Sequence, residues 1–510
     1  MTMPFIPRKN RTARPSWRLL AISAAAALLS ACASFNGISP TASTQTPGDY
    51  ASAATLPSQG GQWPDASWVG HIGGAPLQIL VDEALRGNPG LQIAAARVSA
   101  ARAIADATGA ATKPMLDAGF SSTYQRFTEN GLIPPPLAGQ YKSDNELALN
   151  FSYEFDFWGK HAAELRAALS QGKVAEAEQY SARLVLAGAV TRAWVQLARQ
   201  SEQLGLTEQQ LQLREKLDRL TQQRVRAGLD NQSDNQQTQV QLAGLRAEQA
   251  QWQEAIALTR NQLAALLGQG PDRGLAIALP MLPAASATQI PDELPLALLG
   301  RRPDIVAARW RVEAAQGDID SAKTAFYPNI DLKAFAGFSA FGLTNLLDSG
   351  SRIVGIGPAI TVPIFNGGRL RAQLKGQVAA YDGAVASYNQ SLTEALHEVA
   401  DQVQSLRAVE TQGNHQRQAT SAAAQALTLA QQRQQVGTAN MLHVLAAESA
   451  WLTQRKLELD TQARRADLEV GLIKALGGGF DAAQTGLAAT TDTVPSSSTS
   501  NRSTFAKSAS

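Results

Sequence analysis

From Leu147 to Phe157 the chain alternates. Leu147, Leu149, Phe151, Tyr153, Phe155 and Phe157 fall on one side of an extended strand, with Ala148, Asn150, Ser152, Glu154 and Asp156 on the other. The run before it does the same, setting Leu116, Ala118, Phe120, Ser122 and Tyr124 against Asp117, Gly119, Ser121, Thr123 and Gln125. In the second half, Ile330, Leu332, Ala334, Ala336 and Phe338 face Val354, Ile356, Ile360, Val362 and Ile364 of a returning run. A period of two belongs to strands. The pattern predicts strands at about 115–127, 146–157, 329–340 and 352–365, joined by loops at 129–145, containing Pro134-Pro135-Pro136, and 342–351. A tilted strand of about 9–11 residues crosses a bilayer, and apolar-out, polar-in alternation is what a lipid-facing barrel wall requires. One such strand would fit an ordinary half-buried sheet; repetition at duplicated positions favours a barrel.

Between the strand pairs the period changes. No proline occurs from Gly159 to Arg226 or from Gly368 to Val436, and two very long helices are predicted, at about 159–227 and 368–436. A helix of about 68 residues is roughly 100 Å long. Leucines recur at heptad spacing in two phases, Leu197, Leu204, Leu211 and Leu206, Leu213, Leu220, with Leu217 beside the second. One seam suffices for a two-stranded coiled coil, whereas two seams suit a helix packed between neighbours in a wall. Gly228 and Gly437 follow the long helices as stop signals, which puts Gly228-Leu229 and Gly437-Thr438 at the tips farthest from the strands.

These patterns occur twice. Pro89 and Pro303, Arg97 and Arg311, and Pro114 and Pro328 are each 214 residues apart, while Arg224 and Arg433, Gly228 and Gly437, and Gly268 and Gly477 are 209 apart. Each repeat reads helix, two strands, very long helix, turn, helix. The first spans 77–290 and the second 291–480, preceded by an extended segment at 32–76 and followed by a Ser/Thr/Ala-rich tail at 481–510 expected to be disordered. Four strands cannot close a barrel, and an open sheet edge in lipid leaves backbone groups unpaired. The chain must then oligomerise. Two copies make a barrel of about eight strands, filled by its own side chains; three make about twelve and leave a lumen.

The N-terminus adds a compartment. Arg8, Lys9, Arg11, Arg14 and Arg18 precede an apolar run from Leu19 to Leu29, too short for a membrane span but suited to a secretory signal over residues 1–31. Leu29-Ser30-Ala31-Cys32 resembles a bacterial lipobox, and Cys32 is the only cysteine in 510 residues. A lone exported cysteine forms no internal disulfide; at this position it is the expected site of covalent lipid, which would tether the mature chain to a membrane. Ala33 and Ser34 follow, without the Asp at the second position that keeps such lipoproteins on the inner membrane.

Composition agrees. Aromatic residues make up 6% of the chain and the net charge is only +2, with both signs mixed along the helices, so no nucleic-acid surface is indicated. The histidines at 71, 161, 397, 415 and 443 form no i, i+4 metal pair, and neither a phosphate loop nor a Gly-x-Ser-x-Gly elbow occurs. Glu154 and Asp156 could pass for a carboxylate pair but read more simply as lumen lining. No enzyme and no cofactor beyond the lipid is expected.

The lipobox, the Pro89-Gly90-Leu91 and Pro303-Asp304-Ile305 openings, Tyr327-Pro328-Asn329-Ile330, the Pro363-Ile364-Phe365-Asn366-Gly367-Gly368-Arg369 stretch and Arg433-x-x-x-Gly437 together resemble the TolC superfamily. The likeness is greatest to its NodT/OprM-like lipoprotein branch. It implies a mixed α and β fold in which three chains share a 12-stranded transmembrane barrel and a long α-helical tunnel descends into the periplasm. It also implies outer-membrane residence and a passive efflux role. The tips at Gly228, Leu229, Gly437 and Thr438 would meet a periplasmic adapter and, through it, an inner-membrane resistance-nodulation-division pump. Family members often carry an acidic ring just past the second tip, where this chain has His443 and Ala446. The expected constriction is therefore apolar, built from Leu442 or Leu445 with His443 near it, gating by dewetting. A protein-secretion exit duct and a non-conducting coiled-coil tether are the alternatives.

Overall fold

The computed structural model describes residues 35–51, 54–56, 60–283 and 294–488. The expected signal segment, Cys32 and the end of the tail from 489 lie outside the described residues. The first repeat comprises α1 (Trp68–Gly87), α2 (Pro89–Ala110), β1 (Met115–Arg126), β2 (Tyr141–Glu154), α3 (Lys160–Arg226) and α4 (Gln232–Leu266). A short α5 (Asp272–Leu275) follows. The second repeat comprises α6 (Leu294–Arg301), α7 (Pro303–Thr324), β3 (Asn329–Phe341), β4 (Arg352–Thr361), α8 (Arg369–Gln435) and α9 (Met441–Ala475).

The duplication is carried residue for residue by the helices. α2 and α7 have 22 residues each, α3 and α8 have 67, and α4 and α9 have 35. Shared boundary residues set these lengths. Pro89 and Pro303 occupy the first helical turn, where a missing N–H costs nothing. Gly159 and Gly368 precede the long helices in left-handed backbone, which few other residues adopt. The repeats also close alike. Asn88 Nδ2 donates to the Leu266 carbonyl at 2.9 Å, and its counterpart Arg302 donates from Nη1 to the Ala475 carbonyl at 2.9 Å.

The strands form one antiparallel sheet ordered β1-β2-β3-β4, with β2 and β3 joining the repeats and β1 and β4 left as edges. Two strands differ from the sequence pattern in their bounds. β2 begins at Tyr141, inside the expected loop, and ends at Glu154; Phe155 N–H still donates to the Ile330 carbonyl before the chain turns at Phe157. β4 stops at Thr361, so Val362 and Ile364 lie beyond it, where Pro363 has no N–H for a ladder.

Helices α3, α4, α8 and α9 form two long antiparallel hairpins, packed through α3 and α9. The two leucine phases fall into two separate cores, both of which include α9. Leu197 and Leu204 join a core with α1, α4 and Ala466, Val470 and Ile473 of α9, whereas Leu206, Leu213, Leu217 and Leu220 join Leu445 and Leu452 nearer the start of α9. No helix among the described residues is long and apolar enough to cross a membrane.

Both flanking segments are more structured than expected. The expected extended segment 32–76 carries a 3-10 turn at Pro47–Asp49 and ends early, because α1 already starts at Trp68 and kinks at Gly74. Ahead of it a strap lies along α8. Asp382 accepts from Thr41 N–H (3.1 Å), Thr41 Oγ1 (2.7 Å) and Ala42 N–H (3.1 Å), and Asn389 bonds both Gln45 N–H (2.8 Å) and the Ser43 carbonyl (3.0 Å). At the other end the expected disorder does not start at Asp481. Ala482 and Leu487 are buried with Phe480 against Val174 and Ala177 of α3 and Val306 and Ala307 of α7. Arg309 Nη2 and Trp310 Nε1 both donate to the Leu487 carbonyl at 2.9 Å. Two apolar side chains in a small-residue stretch are enough to dock it.

Candidate functional site

The register decides what the sheet can do, because a slip of one residue would exchange its faces. Leu116 pairs with Phe151, Ala118 with Leu149 and Phe120 with Leu147. Leu147 then pairs with Phe338, Leu149 with Ala336 and Phe151 with Ala334, and Ala334 and Ala336 pair with Ile356 and Val354. All four apolar sets therefore share one face. That face is bare within one chain, with Leu116 66%, Tyr124 73%, Val354 84% and Ile356 79% exposed. A solvated sheet does not spend its apolar side on water. The one buried polar side chain on this face, Asn145, is satisfied within the sheet: Ser122 Oγ donates to its Oδ1 at 2.7 Å, and its Nδ2 donates to the Ser143 and Ala340 carbonyls at 3.1 and 3.2 Å. That is the condition a polar group must meet in lipid.

The opposite face carries Asp117, Asp144, Glu146, Glu154 and Asp331 against Lys142 and Lys333, and is acidic in balance. Phe335 is an exception that alternation did not flag. Its ring lies over Gly355, where any side chain would collide with it.

Below the sheet, a cavity of about 500 Å³ opens between α3, α7, α8 and the strand ends, lined by Glu154, Asp156, Glu164, Asp318, Trp158 and Tyr327 among others. Burial, and then the Glu164 carboxylate, push the Asp318 carboxyl above its usual range. Trp158 stacks on Tyr327 with ring centres 4.7 Å apart and donates to the Pro328 carbonyl at 2.7 Å, pinning the first repeat's strand-to-helix turn to the second repeat. Glu154 and Asp156 do not act as a pair. Lys160 Nζ donates to Glu154 at 3.1 Å, and Asp156 accepts from Ala162 N–H at the start of α3. His161 is buried between Glu154 and Glu164, at 3.1 and 3.4 Å. No group of three or more His, Cys, Asp or Glu among the described residues is arranged to hold a metal ion.

At the far end the two hairpin turns have one geometry. Gly228 and Gly437 have φ of 70° and 75°, and Leu229 and Thr438 N–H donate to the Arg224 and Arg433 carbonyls, each at 2.8 Å. Leu229 and Thr438 are exposed. Asn231 and Asn440 then cap α4 and α9 by accepting from Asp234 and His443 N–H. Of the expected constriction residues, Leu445 is a core side chain, 6% exposed against Leu213 and Leu452, because it continues the second leucine seam. Leu442 is half-buried and His443 exposed, its Nδ1 2.7 Å from Asn440 Oδ1. The acids that follow Gly228 are locally engaged: Asp230 receives two bonds from Arg224, at 2.7 and 2.9 Å, and Asp234 completes a capping box.

These features have counterparts among known proteins. The family model described as outer membrane efflux protein matches residues 80–269 and 294–478, which spans both repeats. The multidrug resistance outer membrane protein MdtQ of Escherichia coli is 30% identical over 462 residues, covering 89% of this chain and 96% of its own. The fusaric acid resistance protein FusA of Burkholderia cepacia is 34% identical over 362 residues, covering 70% and 68%. The crystal structure of the outer membrane protein VceC of Vibrio cholerae aligns at 40% identity with a TM-score of 0.74, over 82% of this chain and 100% of that one. With both repeats matched and the fold shared with a solved outer membrane protein, this chain belongs to the outer membrane efflux protein family of the TolC superfamily.

Proposed function

We propose that three copies of this chain close a 12-stranded barrel across the outer membrane and continue it as a helical tunnel, passively conducting drugs or other small molecules outward. The observation that carries the reading is the register: all four apolar sets on one sheet face, with β1 and β4 left as open edges. A lipid-exposed edge must be paired, and identical chains supply antiparallel edges in sequence around a ring. An adapter would engage the tips at Gly228, Leu229, Gly437 and Thr438, and an inner-membrane pump of the resistance-nodulation-division type would supply the energy. The duct itself needs neither catalysis nor a cofactor. Leu442, with His443 beside it, would narrow the periplasmic end.

The strap supports lipidation of Cys32. Phe35 packs edge-on against Phe326, ring centres 5.7 Å apart, three residues before β3 begins. The described chain thus begins beside the base of the sheet, which fits an anchor attached a few residues earlier.

A strain lacking the gene is expected to become hypersensitive to several unrelated small molecules, at least fourfold in inhibitory concentration. Restoration by the wild-type gene checks it, and unchanged tolerance in a strain without a redundant duct would sink the efflux reading. The acidic inner face predicts cation preference. In planar bilayers under a tenfold KCl gradient the reversal potential should take the sign of potassium selectivity, and Glu146→Lys should shift it toward zero.

A further inference from the structure

Inside one chain, α7 is enclosed on both sides, by α3 and by α8. Its counterpart α2 packs along α3 and is bare on the side that α7 turns to the other repeat. Val306, Ala307 and Ala314 of α7 are buried, whereas their equivalents Gln92, Ile93 and Ala100 of α2 are exposed. The repeat states what should cover them. The α7–α3 contact joins the second repeat's short helix to the first repeat's long helix, so its missing equivalent joins α2 to the α8 of another copy.

We propose that α8 of a second copy seats on the bare side of α2, with Ala103 packed against Gly376 and Asp106 paired with Lys375. The proposal rests on the three-copy reading above and specifies its contact. The template lies within the chain. Gly317 of α7 passes so close to α3 that a Cβ there would stand 2.9 Å from the Ala167 Cβ and 3.1 Å from the Ala163 carbonyl oxygen. Beside it, Arg166 Nη2 and Asp320 Oδ2 are 2.8 Å apart. Moving α7 back by 214 residues and α3 forward by 209 carries Gly317 to Ala103, Asp320 to Asp106, Ala163 to Ala372, Arg166 to Lys375 and Ala167 to Gly376.

Two things survive this mapping. The close approach still has one glycine, moved from the short helix to the long one, and the space around Gly376 is empty to at least 4 Å. The charge pair keeps its signs and its sides. Asp106 and Lys375 are both exposed, and neither has an ion-pair partner among the described residues. The second pair of the template is not kept: Arg311 binds Glu178, but the equivalents are Arg97 and Ser387. The seat therefore depends on one ion pair and one close helix crossing.

Full-length chain carrying Ala103→Cys and Gly376→Cys together should give, after mild oxidation in outer-membrane vesicles, covalent dimers and trimers that persist on boiling in detergent. Either cysteine alone should not. Asp106→Lys should reduce the detergent-resistant trimer at least fivefold, and adding Lys375→Asp should bring it back. Ala103→Gly with Gly376→Ala should assemble as wild type, which guards against a simple folding defect at position 376. Trimers that form normally yet do not cross-link, and that ignore both charge reversals, overturn this seat and leave the three-copy duct standing. A wild-type chain that is monomeric in detergent and vesicles overturns both.

Discussion

Arg302→Ala is expected to lower the stability of the folded chain by about 3 kcal/mol, near the low end of the range for breaking a buried ion pair. The guanidinium is almost enclosed, its side chain 10% exposed, and it serves three acceptors at once. It binds Asp304 in two places (3.1 and 2.7 Å), Glu398 at 2.8 Å and the Ala475 carbonyl at 2.9 Å. The two carboxylates keep partial access to water, which holds the penalty below the upper limit. The equivalent Asn88 makes the same carbonyl bond without any charge, so Asn88→Ala should cost nearer 1 kcal/mol.

The acid limb separates the two cases. Burial alone would raise the Asp304 carboxyl, but the Arg302 guanidinium outweighs it and holds the group below its usual range. A depressed folded value means the contribution is present above the unfolded carboxylate value and is lost as pH falls through the lower, folded one. Wild-type chain should therefore melt at falling temperatures in that window. In Arg302→Met the guanidinium's lowering influence is gone, burial is opposed only by the Ile305 and Asp304 backbone N–H groups, and the gap between variant and wild type should narrow as pH falls through that window. Melting followed by circular dichroism in detergent checks both. Parallel acid limbs would remove the assigned role of Arg302.

The second large effect is expected at Gly477. Its φ of +92° is left-handed backbone, and a Cβ there would overlap the Arg301 carbonyl oxygen. Backbone strain alone costs up to roughly 3 kcal/mol, and the overlap must be relieved by moving α9 away from α6. Gly477→Ala should thus abolish detergent-resistant trimers at growth temperature. Gly268, its first-repeat partner at φ +73°, meets the Gly87 carbonyl in the same way, and Gly268→Ala should show the same loss. A Gly477→Ala chain that assembles and melts like wild type would refute the constraint.

Much of this architecture could be read before any coordinates. Prolines, glycines and alternation act locally, and so the repeat, the four strands and the two long helices were visible at nearly their observed bounds. What escaped depends on partners distant in sequence. Nothing near Asp382 marks it as the anchor for Thr41 and Ala42, 341 and 340 residues away. Arg302 reads as a helix-opening residue until Glu398 and the Ala475 carbonyl arrive beside it. Distance from Gly437 alone does not show that Leu445 packs with Leu213 in the hairpin core of one chain. The docked stretch at Asp481–Ala488 was hidden by its composition, in which Ala482 and Leu487 are too sparse to make a pattern.

The equal lengths of the paired helices have a mechanical consequence. Since α3 matches α8 and α4 matches α9 residue for residue, both hairpins of a chain have the same length. In the proposed ring of three, six turns would end level and form a flat rim with near-sixfold spacing. A cylindrical partner could then mate end to end with all six sites, whereas one gripping a single protruding hairpin would find nothing to hold.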